Sequence, residues 1–299
     1  MPDSPPTEVS TAPYREGHLG THDGLRLYYR DYGDPLSPAA PVLCLAGLTR
    51  NCGDFELLAP RLAARRRVVT LDYRGRGRSD YDPDWRHYAP EACVWDVVQA
   101  SFALGLHHFV VIGTSFGGLL GMGLAVFLPS ALTGLVMNDT GPDLNDDGIE
   151  RIMAYVGRDN PQPDWDAAAR NIHETFPHLR LRSQEDWDRM IRGTFKEGAD
   201  GKLHHDWDPK IARPLLERPE ARDLWPYFKA LKGLPLLVIR GAESDVLDAA
   251  GLARMAAIKP DLVQLTVEGV GHTPSLEEPE CRAAIDEFLA RIDRSRSHG

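Results

Sequence analysis

Hydrophobic and polar positions along the chain change period in a regular way. Four short runs rich in β-branched and other apolar residues, PVLCLAG, RRVVTLDY, HHFVVIG and LTGLVMN, recur through the first half. Helix-length segments separate them, from Asp54 to Ala64, Pro90 to Leu104 and Phe116 to Leu128. Continuous apolar runs of strand length, alternating with helices, predict a parallel sheet buried on both faces. Ahead of them, GHLGTHDGLRLYYRDYG sets Asp23-Gly24 between two potential strands, which signals a hairpin. From 143 to 228 the pattern turns to helices and loops, with four of the six tryptophans, and no buried-core strand is expected there. PLLVIRG and LVQLTVEG then resume the strand pattern, and EEPECRAAIDEFLARI closes the chain as a helix. The expected architecture is α/β, with a core domain at 14–142 and 229–294, a helical cap at 143–228, and a disordered lead over 1–13.

Composition narrows the function classes. A formal net charge of −10, with no long Lys/Arg cluster, argues against binding nucleic acid or an anionic membrane surface. No charged residue occurs between Phe109 and Asn138, as in a membrane span. Gly113, the Gly117-Gly118 pair and Pro129 divide that stretch into strand, helix and strand instead. Cys44, Cys52, Cys93 and Cys281 are scattered without a CxxC pair, so neither a zinc site nor a disulfide framework is indicated. The opening MPDSPPTEVSTAP lacks the basic start and apolar centre of a signal peptide. A cytoplasmic location is expected.

The chemistry concentrates at Gly113-Thr114-Ser115-Phe116-Gly117, where a β-branched run stops and an apolar helix starts. A serine on so sharp a strand-to-helix turn has its hydroxyl exposed above the sheet edge, and small neighbours are needed because the two arms nearly touch. A serine hydroxyl is a weak nucleophile without a base, and the base needs an acid to fix its tautomer. His272 lies in a loop after the last expected strand and is the candidate base. Two aspartates end strands: Asp245, in VIRGAESDVL, and Asp139, in VMNDTG.

These segments together resemble the α/β-hydrolase family from the hairpin onward. LCLAGLTRN looks like its oxyanion loop, LDYRGRGRSD like the loop after the next strand, and the elbow and the Asp and His segments follow in order. The resemblance favours Asp245, four residues after Gly241, as the acid and leaves Asp139 as its rival. It implies an oxyanion hole from the backbone N–H groups of Leu48 and Phe116. Ala46-Gly47 replaces the frequent His-Gly of the family, an imidazole that is not an oxyanion donor. The activity implied is cofactor-free and metal-free hydrolysis of a small carboxylic ester or lactone by Ser115, His272 and Asp245. Serine at 115 disfavours the dehalogenase and epoxide hydrolase branches, which use aspartate there. It leaves C–C hydrolases of diketo acids, peptidases and acyltransferases open. A non-catalytic binding protein on the same fold is disfavoured by the intact Ser, His and Asp set.

Four further features have two readings each. Arg50, beside the oxyanion loop, meets a substrate carboxylate or is solvated. Trp165 and Trp187 line the substrate site or form the cap's own core. GRGRS, at 75–79, resembles part of a dinucleotide fingerprint, but Asp82-Pro83 prevents the helix that would hold a pyrophosphate. The pair His204-His205 with Asp206 suggests a metal, although adjacent side chains rarely converge on one ion, and a solvated loop is expected.

Overall fold

The apolar runs become strands of one eight-stranded sheet in a computed structural model that describes residues 13–143, 146–176, 179, 181, 183–217 and 223–296. Of the lead expected over 1–13, only Pro13 falls within the described residues. The elements begin with β1 (Tyr14–Gly20), β2 (Arg26–Tyr32), β3 (Val42–Leu45), α1 (Leu58–Ala63), β4 (Val68–Leu71) and α2 (Pro90–Ala103). There follow β5 (Phe109–Thr114), α3 (Phe116–Phe127) and β6 (Leu132–Asn138). The hairpin joins β1 and β2 through a turn in which Gly24 has φ +89°, a left-handed conformation that only glycine adopts without cost.

The sheet order is β1-β2-β4-β3-β5-β6, completed by β9 (Leu236–Gly241) and β10 (Val263–Val267). All pairings from β4 to β10 are parallel, whereas β2 is antiparallel to both β1 and β4. Period 2 explains why the strands read as continuous apolar runs. Leu43, Leu45, Val69, Leu71 and Val111 face one core, while Val42, Cys44, Val68, Val110 and Ile112 face the other. From β3 the chain moves outward to β4 and then returns to β5 on the opposite side. Loops leaving the carboxyl ends of β3 and β5 therefore diverge and open a crevice, the usual ligand position in such sheets.

The segment between β6 and β9 contains α4 (Asp146–Val156), α5 (Trp165–Thr175), α6 (Gln184–Arg192), β7 (Phe195–Glu197), β8 (Leu203–His205), α7 (Arg213–Leu216) and α8 (Trp225–Ala230). It departs from the expected helical insertion in two ways. β7 and β8 pair as a short antiparallel hairpin, three residues each, too brief to show an alternating pattern in the sequence. Trp225 and Phe228 of α8 join Leu231 in the main core cluster beside α3, so this end of the expected cap packs as core. The chain closes with α9 (Ala249–Ile258), ahead of β10, and α10 (Pro279–Arg296). Among the described residues no helix is long and apolar enough to cross a membrane.

Candidate active site

Ser115 sits between β5 and α3 with φ +51° and ψ −115°, a strained conformation for a residue with a side chain. Packing enforces it. A Cβ on Gly117 would drive into the Leu45 carbonyl oxygen, one on Gly113 would meet the backbone of Gly117, and one on Gly118 would lie 2.5 Å from Thr140 Cγ2. The glycines let α3 start directly against β3 and β6. Ser115 N–H donates to the Asn138 carbonyl at 2.8 Å, which ties the elbow to the end of β6.

His272, in the loop between β10 and α10, stands 3.0 Å from Ser115 Oγ through Nε2. Its Nδ1 lies 2.7 Å from Asp139 Oδ2. A carboxylate only accepts hydrogen bonds, so Asp139 places the proton of the neutral imidazole on Nδ1 and leaves the Nε2 lone pair to Ser115. Asp139 is itself fully buried, with φ +56°, at the residue after β6. Its Oδ1 accepts the Gly241 N–H at 2.9 Å, and its Oδ2 also accepts the Ser244 hydroxyl at 2.6 Å. Asn138 donates to the Pro274 carbonyl at 2.9 Å, joining the end of β6 to the histidine loop.

The carboxylate at the histidine is therefore Asp139, not Asp245. Asp245 pairs instead with Arg151 of α4 and is partly exposed. The turn after β9 accounts for the difference. Ser244 N–H donates to the Gly241 carbonyl, and the Ser244 hydroxyl also accepts the N–H groups of Val246 and Leu247. That arrangement directs Ser244 toward Asp139, and the next residue points away. The GAESD segment still serves the site, through the Gly241 N–H and Ser244 Oγ.

The loop after β3 faces the elbow, and a Cβ on Gly47 would come 3.9 Å from Ser115 Cβ. Its carbonyls are held from behind. Tyr73 Oη donates to Ala46 O at 3.1 Å, Arg50 N–H to Gly47 O at 3.1 Å, and Arg76 Nε to Leu48 O at 2.5 Å. Across from it, the N–H of Phe116 belongs to the first turn of α3, where helical N–H groups have no partner within the helix and the dipole is positive. Arg76 touches both sides: its guanidinium also lies over the Phe116 ring, 5.6 Å from the centroid. It is fully buried, and among the described residues no carboxylate pairs with it. By contrast Arg74, equally buried, is neutralised by Asp96, Asp82 and Asp23.

A cavity of about 230 Å³ opens over Ser115 and His272 and extends under α4 and α6. That is below the roughly 300–1,000 Å³ of drug-sized sites. Arg50 lines it but is not a free cation. Its Nε and Nη2 bond Asp54, and Nη1 donates to Thr194 Oγ1 at 2.6 Å, which fastens the β3 loop to the segment after α6. Trp165 and Trp187 do not line the cavity. Trp165 lies under the Arg192 guanidinium and Trp187 against His173, both packed on Ala168, Ile172, Ile191, Phe195 and Leu203. The two adjacent histidines diverge: His204 bonds Asp159 and Asp200, while His205 stacks on Trp207.

Comparison with known proteins gives the family. A model of the alpha/beta hydrolase family matches residues 42–284. The chain belongs to that family. A 3-hydroxybutyrate-oligomer hydrolase from Cupriavidus necator is 34% identical over 275 residues, covering 88% of this chain and 92% of the relative. A 2-(acetamidomethylene)succinate hydrolase from Mesorhizobium japonicum is 25% identical over 255 residues, 83% of this chain and 87% of that one. The crystal structure of an alpha/beta hydrolase from Novosphingobium aromaticivorans matches with a TM-score of 0.86 at 41% identity, over 94% of this chain and 100% of that chain.

Proposed function

We propose that this hydrolase cleaves small to medium carboxylic esters or lactones through an acyl-enzyme on Ser115. The observation that carries the reading is His272 bridging the Ser115 hydroxyl and the buried Asp139 carboxylate. Ser115 Oγ attacks the ester carbonyl while His272 Nε2 takes its proton, and Asp139 steadies the imidazolium that forms. The N–H groups of Leu48 and Phe116 hold the oxyanion. Collapse of the tetrahedral species expels the alcohol, which takes the proton from His272. Water, deprotonated by the same nitrogen, then releases the acid and restores Ser115. The small cavity and its overlying helices favour small substrates, and the Cupriavidus relative is a 3-hydroxybutyrate-oligomer hydrolase by name.

The test combines labelling and turnover. A serine-reactive phosphonate is expected to modify Ser115, by intact mass and peptide mapping. Esters with about two to eight acyl carbons are expected to be cleaved with higher kcat/KM than emulsified triolein or peptides, and Ser115→Ala to lose that turnover. Labelling of another serine, or diketo-acid C–C cleavage far faster than any ester cleavage, refutes the reading.

A further inference from the structure

The cavity over Ser115 is walled by Leu48, Ile152, Val156, Phe176, Met190 and Leu276, and one phenol is set among them. Tyr155, on α4, is held by three rings: Phe176 edge-on at 5.1 Å, His205 at 5.0 Å and Trp207 at 5.6 Å between centroids. Its hydroxyl is buried, and among the described residues it has no hydrogen-bond partner. Burial raises the phenol well above its ordinary pKa, so it is a protonated donor. A buried hydroxyl without a partner is costly, and such a group in a native site calls for an explanation. The packing that fixes the ring would be kept by phenylalanine, so the hydroxyl is unnecessary for the fold.

We infer that Tyr155 donates a hydrogen bond to a neutral oxygen on the acyl part of the substrate, so that the site takes hydroxyacyl esters in preference to plain alkanoyl esters. The inference rests on the ester-hydrolase reading above. Charge favours a neutral oxygen over a carboxylate. The cavity lining sets Asp54, Glu56, Asp186 and Glu277 against Arg50 and Arg189, and Arg50 and Arg189 are already paired with Asp54 and Asp186. A second anion there would meet an excess of carboxylates. A hydroxyl or ester oxygen adds no charge and accepts the phenol proton. A site with a fixed donor discriminates against the analogue lacking the acceptor, because the donor is then left unpaired.

The experiment compares ethyl 3-hydroxybutyrate with ethyl butyrate in the wild type and in Tyr155→Phe. The wild type is expected to prefer the hydroxy ester. The substitution should lower kcat/KM for it roughly tenfold, the worth of one hydrogen bond, and change ethyl butyrate less than about twofold. Equal loss on both esters would make Tyr155 a packing residue, and no change on either would make its hydroxyl irrelevant to substrate; both overturn the inference and leave the ester reading standing. Turnover of neither ester by the wild type would remove the ester reading and this inference with it.

Discussion

At the scale of single residues, Asp139 and Arg76 carry the consequences that are hardest to see in a sequence. Asp139 and Asp245 both lie beyond an apolar strand, the first directly after it and the second four residues on. What separates them is backbone direction: φ +56° at Asp139 and a serine-stabilised turn after β9 that sends Asp245 to Arg151. Neither conformation leaves a mark in hydrophobic period. Ser115 and His272 were legible because glycine spacing and loop position do leave one. Arg76 lay within a recognisable loop, but the sequence offers no sign that its carboxylate partners would go to Arg74 instead. A buried cation without a carboxylate is costly and is kept where it does something. Here it holds the Leu48 carbonyl and covers the Phe116 ring. Arg76→Met is expected to lower kcat about a hundredfold with KM little changed, since it frees the loop proposed above to supply an oxyanion donor, and a misplacement of about 1 Å costs of that order. Arg76→Lys should recover only part, having lost the Nε geometry. Steady-state kinetics with a short-chain ester decides it; a raised KM at unchanged kcat would place Arg76 in substrate binding instead.

At the scale of elements, the hairpin of β7 and β8 joins two histidines whose environments oppose each other. His205 is buried against Trp207, and desolvation lowers its pKa. His204 is partly exposed and hydrogen-bonded to Asp159 and then Asp200, which raise its pKa. The neutral form of His205 belongs to the fold, so its contribution is present above the unfolded value of about 6.5 and is lost as pH falls through the folded value. The protonated form of His204 belongs to the fold, so its contribution is present below about 6.5 and is lost as pH rises through its folded value. An NMR titration of the two imidazoles should therefore find His204 mostly charged and His205 mostly neutral at pH 6.5. The reverse order would mean that the hairpin packs differently. The hairpin itself escaped the sequence pattern for a simple reason. Three residues per strand give one alternation, which any loop can show by chance.

At the scale of the whole molecule, the sheet does most of the positioning. The order reversal between β3 and β5 opens the crevice, and four strand ends supply its parts: the loop after β3, Ser115 after β5, Asp139 after β6, and His272 after β10. The alternation of apolar runs with helices made that sheet legible. The insertion after β6 was legible as an interruption, but not as to which of its residues reach the site. Tryptophan content pointed to Trp165 and Trp187, whereas the cavity is met by Tyr155 and the tryptophans fill their own core. Amphipathic helices show which face is apolar and not whether that face meets a ligand or a neighbour. The proposed mechanism depends most on which strand end supplies the acid, and Asp139→Asn and Asp245→Asn measured side by side address it directly. With a short-chain ester, Asp139→Asn is expected to lose on the order of ten-thousandfold in kcat through the wrong imidazole tautomer, with binding little changed, while Asp245→Asn stays close to wild type. A crippled Asp245→Asn beside a nearly normal Asp139→Asn would contradict it.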